Sequence, residues 1–158
     1  MWLAADSGAG ISWTVPAGWK ADAGQQARFG TYRVPPGGEC GIYYFGAGQG
    51  GTVEANLDRW IGQFMQADGK PAKSEAKIAK RTIHSWPVTT LDVSGAYTGI
   101  VGPLVRSGVS ATPGYRMLAA VVEGPQGSVF IKFIGPAKTV AANQAAFDKM
   151  LASLGPVR

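Results

Sequence analysis

The run Ile42 to Met65, IYYFGAGQGGTVEANLDRWIGQFM, sets Gly46, Gly48, Gly50 and Gly51 between an apolar strand and an amphipathic helix. Backbone N–H groups and the helix dipole converge at such a junction, so the Gly46–Thr52 turn, through Gly48, Gly50, Gly51 and Thr52, is a candidate anion-binding turn. Two features oppose a nucleotide. No Lys-Ser/Thr pair follows the glycines, and the flanking strands read as hairpins rather than as a βαβ unit. Glu54, in the first helical turn, would also repel a phosphate. The glycines are therefore read first as a structural turn, supplying positive φ angles that other residues resist.

The other reactive side chains are scattered. His84 is the sole imidazole and has no metal-ligating neighbours at tuned spacing. Cys40 is the sole thiol, at the start of an apolar strand, and reads as inert and buried. Ser94 lacks a nucleophile signature, although Asp92 lies two positions away on the same strand face. Glu54 and Asp58 share a helix face at i and i+4 and read as solvated acids in the helix N-terminal half. No catalytic residue, metal site or cofactor is expected.

The elements that would position these groups follow from hydrophobic spacing. Val53, Leu57, Trp60, Ile61, Phe64 and Met65 recur at three and four residues, the stripe of a core-facing helix. Strands are predicted at Ile11–Val15, Arg28–Val34, Cys40–Phe45, Ala76–Ile83, Val88–Tyr97, Tyr115–Glu123 and Ser128–Ile134. Turns at Pro35-Pro36-Gly37-Gly38, Ser85-Trp86-Pro87 and Gly124-Pro125-Gln126-Gly127 separate neighbours. Ile42 to Phe45 and Met117 to Val122 are apolar throughout, so both of these strands must be covered twice. Leu91 and Val93 alternate with Asp92 and Ser94, as in a half-exposed strand toward a sheet edge. A closing helix starts at Gly135-Pro136 and ends at Gly155-Pro156, with Val140, Phe147, Met150, Leu151 and Leu154 as its buried stripe. The expected fold is α+β, a single antiparallel sheet of about six to seven strands with helices on both faces. Residues 1–10 read as a flexible N-terminal segment and 11–155 as one domain.

Composition narrows the function classes. The chain has 158 residues, 46% apolar and 16% charged, within reach of one well-buried core. Its net charge of +5 is concentrated: Lys70, Lys73, Lys77, Lys80 and Arg81 stand against Glu75 alone, while the rest is nearly neutral. With no aromatic residue inside Lys70–Arg81 to stack on bases, nucleic acid is not an expected partner. No window of 18 apolar residues predicts a membrane span. One cysteine gives no intrachain disulfide, and the expected compartment stays open: exported or periplasmic if a leader was removed, otherwise cytoplasmic.

The opening strand ISWTVPAGWK, the strand and glycine turn YYFGAGQGGTVEANLDRWIGQF and the closing VVEGPQGSVFIKFIGPAKTVAANQAAFDKML together resemble the PsbP-like fold family. That family includes the extrinsic PsbP subunit of photosystem II, a Ran-binding nuclear import factor and many uncharacterised bacterial domains. The resemblance implies an α/β/α sandwich around an antiparallel sheet and no enzymatic activity. The manganese-related role of PsbP is not implied, because one histidine and no acidic cluster are present here.

Recognition is the remaining class. Thr98 to Gly114 is a long Gly- and Pro-rich segment that still carries Ile100, Val101, Leu104 and Val105, with Arg106 among them and Arg116 at its exit. Long irregular segments of this kind often hold function, and clustered apolar residues mark partner surfaces. The expectation is a non-enzymatic binding or accessory domain with another protein as partner. Its rival is a small-molecule or anion binder using the Gly46–Thr52 turn with the Lys70–Arg81 segment.

Overall fold

The computed structural model describes residues 5–21, 28–66, 75–98 and 112–157. Eleven strands and three helices follow one another along the described residues. They are β1 (Ala5–Gly8), β2 (Ile11–Thr14), β3 (Lys20–Ala21), β4 (Arg28–Val34), β5 (Gly38–Tyr43), α1 (Val53–Ile61), β6 (Phe64–Met65), β7 (Lys77–Ile83), β8 (Trp86–Tyr97), β9 (Thr112–Gly124), β10 (Gly127–Pro136), α2 (Ala137–Ala142), α3 (Gln144–Ala152) and β11 (Gly155–Pro156).

The expected single sheet of six to seven strands between helices is corrected. Eight strands form one antiparallel sheet in the order β3-β4-β5-β10-β9-β8-β6, with β7 also pairing β8, and β1-β2-β11 form a second sheet. The second sheet closes the chain on itself. Ser12 Oγ donates to the Gly155 and Pro156 carbonyls at 3.3 and 3.1 Å, and Gly155 and Pro156 pair with Ser12 and Ile11. Within the N-terminal stretch 1–10, Ala5–Gly8 make β1, paired with β2.

Alternation along the inner strands explains why they are apolar on both sides. Leu118, Ala120 and Val122 of β9 enter one buried cluster with Trp13, Phe133, Val140, Phe147 and Met150, while Met117, Ala119 and Val121 enter the other with Leu57, Trp60, Ile61 and Phe130. The second sheet, α2 and α3 thus contribute to one cluster and α1 to the other. Burial of these side chains supplies the main driving force for folding. The polar ends of the buried aromatics are satisfied, as Trp13 Nε1 donates to the Tyr32 hydroxyl at 2.9 Å and Trp19 Nε1 to Asn143 Oδ1 at 3.2 Å.

Several boundaries differ from the sequence reading. The α1 stripe stops at Ile61, because the chain leaves the helix at Gly62 and places Phe64 and Met65 in β6 beside Tyr97 and Ala96. Phe45 lies beyond β5 and is exposed. The closing helix is two helices, broken at Asn143, whose amide donates to the Thr139 carbonyl at 2.9 Å and accepts from Trp19. The turn between β7 and β8 is His84-Ser85, with Trp86 and Pro87 already in β8.

Candidate functional site

Arg116 is the expected surface residue on which the structure builds a site. It lies on β9 opposite Ser94 of β8. Its guanidinium donates to both Asp92 oxygens, Nε to Oδ1 at 2.9 Å and one terminal nitrogen to Oδ2 at 2.8 Å, and to Gln144 Oε1 of α3 at 3.0 Å. Two-point pairing with a carboxylate fixes the guanidinium plane as well as its position. The hydrogen bond to Asp92 holds Arg116 even more firmly protonated than usual, against a smaller opposing effect of burial. Both side chains stay partly open to solvent, at 17% and 25% exposure.

This pair stands at the waist of a cleft between the β7–β8 edge of the large sheet and the flank of α2 and α3. On one side a hollow of about 190 Å³ is lined by Lys77, Ala79, Arg81, Thr90, Gln144 and Asp148 among others. On the other, about 350 Å³ is lined by Glu75, Lys77, Asp92, Ser94, Arg116, Ala137 and Ala141. The register explains the arrangement. Lys77, Ala79 and Arg81 pair with Asp92, Thr90 and Val88, so their side chains share the α3-facing surface of the sheet. Lys77, Lys80 and Arg81 are exposed and form no ion pair among the described residues. Lys70 and Lys73 of the expected basic segment, and Ile100, Val101, Leu104, Val105 and Arg106 of the expected partner surface, lie outside the described residues. At the described base of that segment, Tyr97 and Tyr115 stack at 5.9 Å with their rings 7° apart. Burial pushes the Tyr97 hydroxyl above its ordinary value, with the charge of Glu39 adding to it.

The candidate anion turn is arranged differently. Gly48, Gly50 and Gly51 all have positive φ, at 72°, 91° and 87°. A Cβ on Gly50 would come within 2.7 Å of the Phe130 ring, which is why a glycine stands there. Thr52 caps α1, its Oγ1 accepting from the Ala55 N–H at 3.1 Å. Buried Asn56 reaches back from α1 and donates to the Gly50 and Thr52 carbonyls, both at 2.8 Å, while its own oxygen accepts from Arg59. The Tyr44 hydroxyl donates to the Gln126 carbonyl and so ties the segment before the turn to the β9–β10 loop.

The remaining sequence candidates do not converge. His84 is exposed at the β7–β8 turn, 5.0 Å from the Trp86 ring. Cys40 is buried in β5. Among the described residues no three His, Cys, Asp or Glu side chains group as metal ligands, and no helix is long and apolar enough to cross a membrane. A wider apolar hollow of about 660 Å³ lies between Pro16-Ala17 and Ala145, Ala146 and Met150 of α3, with the charged Lys149 in its wall.

Sequence reasoning named Arg116 and Asp92 separately but missed that they meet, and it missed Gln144. The available signal was alternation: Asp92 and Ser94 share a strand face, and once β8 and β9 are paired, Arg116 falls opposite Ser94 and diagonal to Asp92.

A scan against protein-family models finds no match to this chain, and a search of curated proteins finds none. Solved structures do match. The fold is similar to that of cyanobacterial PsbP (CyanoP) from Synechocystis, with a TM-score of 0.59 and 12% identity over 99% of this chain and 92% of that one. It is also similar to a Pseudomonas aeruginosa protein of unknown function described as a candidate regulator, with a TM-score of 0.53 and 10% identity over 99% and 98% of the two chains. Neither match concerns Ran binding. At these identities the likeness is one of architecture, and it agrees with the strand order and motifs above: the chain has a PsbP-like fold.

Proposed function

We propose that this chain is a non-enzymatic binding domain that recognises another protein through the cleft between β7–β8 and α2–α3. The observation that carries the reading is the state of the charged groups there. Arg116 is held in one plane by Asp92 and Gln144 while partly open to solvent, Lys77 shares a hollow with it, and Arg81 lies farther along the cleft, neither cation with an ion pair among the described residues. A preorganised, partly exposed guanidinium in a cleft that also holds uncommitted cations suits a polar contact surface, because little further ordering is needed on binding. The PsbP-like fold is compatible with such a role without specifying it.

The test is site-specific photo-cross-linking in the native host. Probes at Lys77 and Gln144 should capture one protein partner, a probe at Gly48 on the glycine turn should not, and Arg116→Glu should remove the capture. Equal capture at Gly48, or capture untouched by Arg116→Glu, rejects the cleft. The rival reading, an anion binder at Gly46–Thr52, predicts a concentration-dependent rise in Tm with inorganic phosphate or nucleotides, since a ligand of the native state stabilises by mass action.

A further inference from the structure

β7 is the outermost strand where it pairs with β8, and among the described residues nothing pairs with its outer edge. The hairpin register identifies the main-chain groups that point outward. Ile83 and Trp86 close a two-residue loop at His84-Ser85, whose φ angles of 57° and 91° fit a tight primed turn, so this pair exchanges both of its hydrogen bonds. Alternation along an antiparallel ladder then turns the N–H and C=O groups of Arg81, Ala79 and Lys77 toward β8 and those of Thr82, Lys80 and Ile78 away from it.

Native sheets usually shorten, bulge or cover such a row, because it templates another strand. Among the described residues β7 is neither short, bulged nor covered, and only its cations Lys77, Lys80 and Arg81 guard it: it runs seven residues in unbroken register, and all six from Lys77 to Thr82 are exposed. Hollows adjoin the edge on both surfaces of the sheet. The α3-side hollow adjoins Lys77, Ala79 and Arg81, and a second hollow of about 130 Å³, lined by Val53, Glu54, Lys80, Pro87, Thr89 and Glu123, adjoins its other surface. Alternate side chains of an added strand would enter the two hollows in turn.

We propose that β7 accepts an extended acidic segment of the partner protein as an additional strand, a step that rests on the protein-binding reading above. Main-chain bonds would form to Ile78, Lys80 and Thr82. Charge selects the occupant on the α3-facing side, where an added strand meets Lys77 and Arg81 with Asp148 across the hollow, while on the other surface Lys80 stands with Glu54 and Glu123 and an apolar residue fits better. Asp92 lies one strand behind β7 and is already neutralised by Arg116. The same three cations disfavour a second copy of β7 at this edge. Ile78, 51% exposed, offers an apolar contact between them.

The test uses the intact chain and an end-capped peptide of about nine residues alternating Glu and Val, long enough to span the strand. Binding should protect the Ile78, Lys80 and Thr82 amides from hydrogen exchange while leaving Lys77, Ala79 and Arg81 unchanged. N-methylation of alternate peptide residues, which leaves the protein untouched, should raise Kd about tenfold or more by removing main-chain donors. Ile78→Pro, at a position whose N–H faces out, should do the same with the β7–β8 hairpin intact by circular dichroism. A peptide alternating Lys and Val should not bind.

Equal binding of the N-methylated peptide, or of the Lys peptide, overturns the inference, as does single-stranded RNA binding as tightly as the acidic peptide. If the peptide result fails while cross-links at Lys77 and Gln144 persist, strand addition falls and the protein-binding cleft stands. If both fail, the reading beneath it falls as well.

Discussion

The Gly46–Thr52 turn and the β7–β8 hairpin differ in how many of their polar groups the fold commits. The turn has the composition of a ligand loop, and several of its polar groups are committed inward: the Gly50 and Thr52 carbonyls to Asn56, the Thr52 hydroxyl to the α1 N-terminus and the Asn56 oxygen to Arg59. The hairpin has the composition of a solvated surface, yet among the described residues it presents unpaired cations, an open strand edge and a fixed guanidinium behind it. Function depends less on which donors a segment contains than on which of them folding leaves unspent.

The sharpest way to test the contrast is at Gly50. Its φ is 91°, and a methyl group placed there would approach the Phe130 ring to 2.7 Å, so Gly50→Ala is strained on both counts. We expect a loss of about 3 kcal/mol in urea unfolding, combining overpacking with left-handed backbone strain. Cross-linking at Lys77 should survive in whatever fraction remains folded. A neutral substitution would mean that the turn is looser than its packing implies and is free to close on a ligand.

Next in size is Asn56→Ala. The variant strips donors from two carbonyls and an acceptor from Arg59 around a side chain that is 2% exposed. A cost of roughly 2 kcal/mol follows, because partly buried groups lose partners that water replaces poorly. If the loss is accompanied by weaker partner capture at the cleft, the two regions are coupled and the contrast between them breaks.

What is legible in the sequence follows the same division. Met117 to Val122 and the α1 stripe are readable because burial on both faces of a strand, or on one face of a helix, imposes a local pattern. The β1-β2-β11 sheet is legible only in its middle strand, predicted over Ile11–Val15, since the partners Ala5–Gly8 and Gly155-Pro156 are short, lack strand periodicity and reach it from far apart in the chain. The helix break at Asn143 depends on Trp19, 124 positions away. Asp92 and Arg116 are 24 positions apart and meet only when register is known. Gly50 is recognisable as a turn glycine from its neighbours, but the Phe130 ring that requires it comes from another strand.

At the cleft, the expected stability effect is smaller and the effect on binding larger. Asp92→Asn and Arg116→Met should each cost about 1 kcal/mol, since a bidentate pair open to water is worth little more than an ordinary surface ion pair. A double-mutant cycle should give a coupling of similar size. Partner capture should nevertheless collapse in Arg116→Met. A coupling above about 3 kcal/mol with capture unchanged would reassign the pair to holding β8 and β9 together.

The smallest effect is expected at the hairpin tip, where the two turns differ most plainly. Ser85 has φ 91° without being glycine, whereas the 46–52 turn places glycine at every such position. The difference lies in the surroundings: Ser85 is exposed and its Cβ strains only the local backbone, while a side chain on Gly50 would meet Phe130. Ser85→Gly should therefore stabilise by about 0.5 kcal/mol, relieved strain outweighing the added entropy of the unfolded chain, and leave the His84–Trp86 ring contact in place. In a chain of this size that is a rise in Tm of roughly 1–2 °C. A fall in Tm would show that the Ser85 side chain makes a compensating contact at the tip. Because β7 keeps its register in either case, binding of the acidic peptide at its edge should not change.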